Sequence, residues 1–207
     1  MVDFPDSSLQ NPLADDCRKC PALCAARERI CWGVGPRDAD LVVVGEAPSA
    51  GHPEAEYWKG GNLTGMAYSG RRSGKKIRTM MDEIDYPNAY YTNSVKCFPP
   101  DGEGGNREPT GEERANCRPY LEREIEEVEP RAVVATGKHA TTSLLATEDR
   151  TIDGFLDSIL DPVTLDSLET TLVPILHPSY QEVWLSRLDY SRESYLSAIS
   201  ETLAAIE

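Results

Sequence analysis

The sequence predicts an α/β fold, a three-layer α/β/α sandwich built on a four-stranded parallel central sheet. Four short segments with the look of buried strands recur along the chain, at 41–45, 88–95, 132–137 and 171–176. Runs of β-branched apolar residues without polar alternation suit strands covered on both faces. Segments with apolar residues at helical spacing lie between them, and strands alternating with helices form a parallel sheet packed on both sides. At 207 residues the chain needs only one domain with a full core, expected over 17–207.

Residues 1–16 are polar, contain prolines and show no periodicity, so a loosely ordered lead-in is expected there. Cys17-Arg18-Lys19-Cys20 then opens a short helix that should end near Ile30. Leu41-Val42-Val43-Val44-Gly45 is the first core strand, and it runs into the turn Gly45-Glu46-Ala47-Pro48. Residues 49–72 form a glycine-rich connection, and a loop of that length is usually functional or disordered. Its glycines allow backbone close to a flat ligand, and Tyr68 among them offers a stacking ring.

Ser73 is a plausible N-cap for an amphipathic helix over 74–85, with Ile77, Met80, Met81 and Ile84 on one face. The second strand, 88–95, leads through Asn93 to Lys96-Cys97-Phe98-Pro99. Thr110 and Glu113 read as a capping box opening a further helix, with Pro119 at a kink or in the first turn of a second helix. Ala132–Gly137 is the third strand, followed by a helix over 138–146. Residues 148–170 are acidic and irregular and leave room for a hairpin or an insertion. The fourth strand, 171–176, delivers His177-Pro178-Ser179, and Leu196, Ile199, Leu203 and Ile206 trace a closing helix.

Formal net charge is −14, which at long range repels nucleic acid. Such a charge suits adaptation to high salt, since Lys is scarce beside Asp and Glu, and at molar ionic strength the Debye length falls to about 3 Å so that only local charge acts. A halophilic source is therefore expected, with Arg71, Arg72, Lys75, Lys76 and Arg78 as the local basic cluster. The chain has neither an apolar run of spanning length nor a secretion signal, so a cytoplasmic protein is expected. In that setting the six cysteines suggest metal ligation before disulfides. A C-x-x-C turn suits zinc and iron–sulfur chemistry alike.

Three strand ends carry Glu46, Asn93 and His177, and a parallel sheet brings such ends to one edge. An Asn amide can donate to uracil O4 and accept from N3–H, which separates uracil from cytosine. A His N–H can stabilise the charge that glycosidic cleavage leaves on uracil O2, and a carboxylate can orient water or stabilise the sugar cation.

Together these motifs resemble the uracil-DNA glycosylase superfamily, closest to its iron–sulfur families 4 and 5. The matching segments are Cys17-x-x-Cys20, Gly45–Pro48, the Gly61–Gly70 loop, Asn93–Cys97, Cys117-Arg118-Pro119-Tyr120-Leu121 and His177-Pro178-Ser179, in the expected order. The resemblance implies a [4Fe–4S] cluster held by Cys17, Cys20, Cys97 and Cys117, mainly structural in role. It further implies Glu46 in the water-activating motif, Tyr68 stacking on a flipped uracil, Asn93 reading its edge, His177 acting on O2, and Ser179 touching phosphate or entering the minor groove.

Cys24 and Cys31 have no counterpart and are read as buried thiols, with a substitute ligand role as the alternative for Cys24. Ser49 and Tyr68 depart from family 4, and the Gly-Gly-Asn-Leu-Thr-Gly loop at 60–65 is more like family 5, so substrate breadth is open between the two. His52 follows the first motif without an assigned role.

The implied activity is monofunctional excision of uracil from DNA, leaving an abasic site for base excision repair. A monomer acting on uracil-containing DNA is expected; the sequence does not decide whether a sliding clamp is a partner. The alternatives are a zinc-stabilised nucleotide or phosphoester hydrolase and a catalytically silent uracil or DNA binder.

Overall fold

The structure, a computed structural model, describes residues 2–206. In chain order its strands and helices are β1 (Gln10–Asn11), α1 (Pro21–Ala26), β2 (Gly33–Val34), β3 (Leu41–Gly45), α2 (Gly61–Thr64), α3 (Ser73–Glu83), β4 (Tyr90–Asn93), α4 (Gly111–Val128), β5 (Ala132–Thr136), α5 (Lys138–Leu145), β6 (Val163–Leu165), β7 (Thr170–Ile175), α6 (Gln181–Trp184) and α7 (Arg192–Ala204). Short 3₁₀ turns fill several of the connections.

The strands form one seven-stranded sheet in the order β1-β2-β4-β3-β5-β7-β6. Its centre, β4-β3-β5-β7, is parallel throughout. Antiparallel strands extend it on both sides, β2 and β1 beyond β4 and β6 beyond β7. The expected four-stranded sheet is thus corrected to the parallel core of a wider mixed sheet. Edge strands of two or three residues are too short to show alternation in sequence, and their pairing with a neighbour defines them. Gln10 and Asn11, inside the expected loose lead-in, pair with Val34 and Gly33.

Alternate residues of the central strands feed two cores. Leu41, Val43, Tyr91, Val134 and Val173 pack with Ile77, Met80 and Met81 of α3 and Ile199 and Leu203 of α7. Val42, Val44, Tyr90, Val133 and Leu172 pack with Leu121 and Ile125 of α4 and Leu144 of α5. Helices therefore cover both faces, and truncating any of the Leu, Ile or Met side chains among these to Ala would cost about 2–5 kcal/mol.

Local chemistry explains several boundaries. Thr110 and Glu113 form the expected capping box, each side chain bonding the other's backbone N–H. Helix α4 is one continuous helix through Pro119, with no second start there. Pro119 lies on the exposed side of the helix, where the carbonyl that it leaves without a donor can be met by water. Ser73 is the first residue of α3 and not its cap; its hydroxyl lies 3.3 Å from that of Ser179. The segment 148–170 does hold a hairpin strand, β6.

Candidate active site

Sheet register assembles the site. Asn93 pairs with Gly45 across β4 and β3, Val44 with Ala135 across β3 and β5, and Thr136 with Ile175 across β5 and β7. The carboxyl ends of all four parallel strands therefore finish on nearly one row. Beyond it the ladder continues into the loops, where Ser94 N donates to Gly45 O at 2.7 Å and Val95 N to Glu46 O at 2.9 Å. Strand β3, earliest of the four in the chain, has a neighbour on each side, which makes its end the point where strand order reverses and ligands characteristically bind.

A cavity of about 730 Å³ opens at this edge, and Glu46, Tyr68, Asn93, His177 and Ser179 all line it. Residues spread over more than half of the chain thus meet at one cavity. His52, Lys59, Arg71, Arg72 and Lys138 stand around it as well, so the mouth is locally basic on a chain whose net charge is −14.

Gly45 is required by close approach. A Cβ there would stand 2.6 Å from Asn93 Oδ1 and 2.6 Å from the Tyr68 hydroxyl, so both side chains lie directly over it. Asn93 is buried, and its Nδ2 donates weakly to Cys31 Sγ at 3.6 Å. Lys96 Nζ donates to the Asn93 carbonyl at 2.7 Å, to Thr92 Oγ1 at 2.7 Å and to Glu124 Oε2 at 2.6 Å. The Glu124 carboxylate also accepts from the Thr92 hydroxyl and, at 2.9 Å, from Gly33 N. Lys96 and Glu124 are 1% and 0% exposed, so a fully bonded buried ion pair fixes the backbone of the amide-bearing residue.

Tyr68 adopts a left-handed backbone, φ 50°. Its hydroxyl shares a 2.5 Å hydrogen bond with Thr136 Oγ1, and its ring meets Tyr91 edge-on at 5.8 Å. Burial raises the phenol pKa well above its ordinary value. Arg78 holds the residue from below, with Nε donating to Tyr68 O at 3.1 Å, Nη2 to Ala67 O at 3.3 Å, and the guanidinium 3.8 Å from the Tyr91 ring centre. Arg78 is only 9% exposed, so it is removed from the expected basic cluster. Lys76 pairs with Glu182 at 2.9 Å, while Arg71 and Arg72 are exposed at the cavity.

Ser179 N donates to His177 Nδ1 at 3.2 Å. A ring nitrogen that accepts is unprotonated, so in the neutral imidazole the proton sits on Nε2, free to donate. Burial, helped by the neighbouring His139, lowers the His177 pKa to about 4. The ring is therefore a neutral donor near pH 7. Burial raises the Glu46 carboxyl above its ordinary value; His139 and Arg114 pull it back down, and Glu108 pushes it further up.

His139 itself escaped the sequence reading. It lines the cavity one residue into α5, with Nε2 3.0 Å from Glu108 Oε1. The available signal was its place two residues after the Gly137 that ends the third strand. Thr136, at the end of the same strand, was missed for the same reason.

A second grouping lies beside the first. Cys97 and Cys117, with Cys20 against them, border a small apolar cluster with Leu23 and Val95. Arg27 Nη1 donates to Cys97 Sγ at 3.2 Å, and Asn116 Nδ2 to Cys20 Sγ at 3.5 Å. Cys17 lies against the Tyr120 hydroxyl, whose pKa it pushes up to about 12. Burial raises the thiols of Cys20 and Cys97, and that of Cys117 to about 11. Cys31 is buried in the main core, as read from sequence, whereas Cys24 is only half-buried and its Sγ contacts Cys17 O at 3.5 Å.

Among the described residues no three His, Cys, Asp or Glu side chains are grouped to hold one metal ion. A four-iron cube asks for something different, one thiolate at each of four corners. The all-thiol donor set gathered from three chain segments, with Arg27 and Asn116 donating to sulfur, fits such a group. No helix among the described residues is long and apolar enough to cross a membrane.

A family model described as the uracil DNA glycosylase superfamily matches residues 32–204, beginning after Cys17 and Cys20. A type-4 uracil-DNA glycosylase of Saccharolobus solfataricus is 34% identical over 137 residues, covering 64% of this chain and 57% of the relative. A type-4 uracil-DNA glycosylase of Thermotoga maritima is 31% identical over 166 residues, covering 79% of this chain and 77% of the relative. A type-5 uracil-DNA glycosylase of Pyrobaculum aerophilum is 31% identical over 160 residues, covering 63% and 65%. The chain spans little more than half the length of several of the curated relatives that it matches.

Proposed function

Because the chain belongs to the uracil-DNA glycosylase superfamily, we propose that it extrudes uracil from DNA and hydrolyses its N-glycosidic bond, leaving an abasic site. The observation that carries this reading is the single cavity in which Glu46, Tyr68, Asn93 and His177 converge at the carboxyl ends of the parallel strands. Flipping costs a few kcal/mol of unstacking, least for mismatched or single-stranded uracil. The Tyr68 ring offsets part of that by stacking on the base. Asn93 presents an amide that pairs with uracil O4 and N3–H and mismatches cytosine.

As the glycosidic bond lengthens, the base takes up the bonding electron pair and negative charge grows on O2. His177 Nε2–H faces that charge as a neutral donor, held by the Ser179 N–H on Nδ1. Glu46, as carboxylate, orients the attacking water and stabilises the positive sugar. His139 stands beside the two acids, with Nε2 3.0 Å from Glu108 Oε1. Ser179 and the turn after it touch the backbone phosphate. The enzyme acts as a monomer, and Arg71, Arg72 and Lys59 supply the local positive field that the whole chain lacks.

Cys17, Cys20, Cys97 and Cys117 would hold a [4Fe–4S] cluster. When bound, the cluster supplies a rigid cross-link between the N-terminal segment, the end of β4 and α4. Cys97 is four positions after Asn93, with Lys96 between them, so bracing Cys97 braces the amide. A brown protein with absorbance near about 400 nm is expected, and a colourless zinc protein would remove the assignment.

The deciding experiment is incubation with uracil-containing single- and double-stranded oligonucleotides from low to molar salt, followed by detection of abasic sites. Excision lost on Asn93→Ala with the cluster absorbance retained is the expected result. Binding without cleavage would overturn the enzymatic reading. Hypoxanthine and xanthine substrates in the same assay separate type-4 from type-5 breadth.

A further inference from the structure

Away from the large cavity, a second one of about 160 Å³ lies between α4 and α5, lined by Ser94, Arg114, Arg118, Leu121, Thr142 and Ser143 among others. That is roughly five water volumes at about 30 Å³ each. Its lining is unusual in what it leaves unbonded. Ser143 is 7% exposed, and its hydroxyl is buried with no hydrogen-bond partner among the described residues. A helical hydroxyl ordinarily bonds back one turn, as Thr141 does to Gly137 O at 3.0 Å; that of Ser143 does not. A buried hydroxyl left unpaired costs stability unless a ligand or water meets it.

The cations beside it are also uncommitted. Arg114 and Arg118, one turn apart on α4, are half-buried. Arg114 makes one side-chain hydrogen bond, to Pro109 O at 2.6 Å, and among the described residues neither arginine has a carboxylate within ion-pair distance. Glu113, on the same helix, is engaged at both oxygens by Arg107. A guanidinium fork fits the oxygens of a tetrahedral anion, and a hydroxyl adds a donor.

We propose that Arg114, Arg118 and Ser143 form a binding site for one phosphate-class oxyanion. The anion is either free phosphate or a phosphodiester of bound DNA. The site backs on the catalytic edge, because Ser94 N and Oγ both donate to Gly45 O, at 2.7 and 3.0 Å, immediately before Glu46. Arg114 is one of the charges that favour ionised Glu46. An anion on Arg114 weakens that pull, so occupancy moves the acid limb of excision to higher pH.

The test compares thermal unfolding of the full chain in inorganic phosphate and in chloride at matched ionic strength, for wild type, Ser143→Ala and Arg118→Gln. Phosphate stabilises proteins generally through exclusion from their surfaces, so the difference between wild type and variants is the readout. A wild-type gain of roughly 5 °C at hundredfold excess over Kd is expected beyond that shared by the variants. Ser143→Ala should melt no lower than wild type without phosphate, since it removes an unpaired hydroxyl, while losing the specific gain; a purely structural serine would do the reverse.

A second arm titrates a uracil-free oligonucleotide with salt. If free phosphate gives no specific gain but Arg118→Gln reduces the salt slope by about one, the anion is a DNA phosphate. Equal phosphate responses together with an unchanged slope mean that the cavity holds only water, and overturn the site. Neither arm requires base excision, so failure here is distinct from failure of the glycosylase reading; only the DNA source rests on that reading.

Discussion

Replacing Lys96 by Met should damage stability and excision by separable routes. The ammonium spends its three protons on Glu124, Thr92 and the Asn93 carbonyl, inside a region where both charged partners are essentially unexposed. Removing it leaves the Glu124 carboxylate buried with only Thr92 and Gly33 as donors. Breaking a buried pair from one side costs about 3–5 kcal/mol. For a chain of this length that corresponds to a melting-temperature fall of roughly 6–20 °C. The double variant Lys96→Met/Glu124→Leu removes the stranded charge and should regain most of that loss. The Asn93 carbonyl still lacks its anchor in the double variant, so excision should remain down by roughly 10²-fold, the effect of a misplacement near 1 Å. Urea or thermal unfolding gives the stability cycle, and single-turnover excision with cluster absorbance as a control gives the other axis. A single-variant loss below about 1 kcal/mol, the range of exposed pairs, or full return of excision in the double variant would refute this account.

Other residues give sharper local outcomes. With Glu46 acting as the carboxylate proposed above, excision should fall as pH drops through its pKa, which burial holds above the ordinary carboxylate value; Glu46→Gln should lower the rate and flatten that limb. His177, with a pKa near 4, should add no second acid limb above that pH. Gly45→Ala places a Cβ 2.6 Å from both Asn93 Oδ1 and the Tyr68 hydroxyl, so kcat should drop at least tenfold while stability falls by only about 1–3 kcal/mol; unchanged kcat would show that neither side chain is needed where it stands. Arg78→Met frees the left-handed Tyr68 backbone from its two carbonyl anchors, and inhibition by free uracil should weaken by about tenfold, the scale of a lost stacking contact. Unaltered inhibition would remove Arg78 from the positioning of the ring.

The parallel core could be read because apolar β-branched runs carry their own signature, and the strand-end residues followed from it. Glu46, Asn93 and His177 were legible as a set because parallel strands share one carboxyl edge. The edge strands at 10–11, 33–34 and 163–165 were not, since pairing of two or three residues is decided by neighbours and not by local pattern. Arg78 and Lys96 were unreadable for a related reason. A charged side chain enters a core only when distant groups satisfy it, here the carbonyls of Ala67 and Tyr68 for one and Glu124 for the other, and those partners are invisible from adjacent residues. Pro119 does not open a second helix because proline is costly only where its missing N–H is needed, and α4 turns that side to water. His139 was passed over because its strand ends on glycine and the reading stopped there.

The register of the parallel sheet also sets when a working site can exist. Val42 pairs with Tyr90 on one side and with Val133 on the other, and Val133 pairs in turn with Leu172. Every one of these contacts closes a long stretch of chain, which makes folding slow relative to proteins rich in local contacts. Each closure delivers further members of the candidate site, Asn93 with the first, Thr136 and His139 with the second, His177 with the third. A partly folded chain therefore holds isolated polar groups and no fraction of the activity. During refolding, excision should emerge with the last strand, after most of the helical signal has already returned.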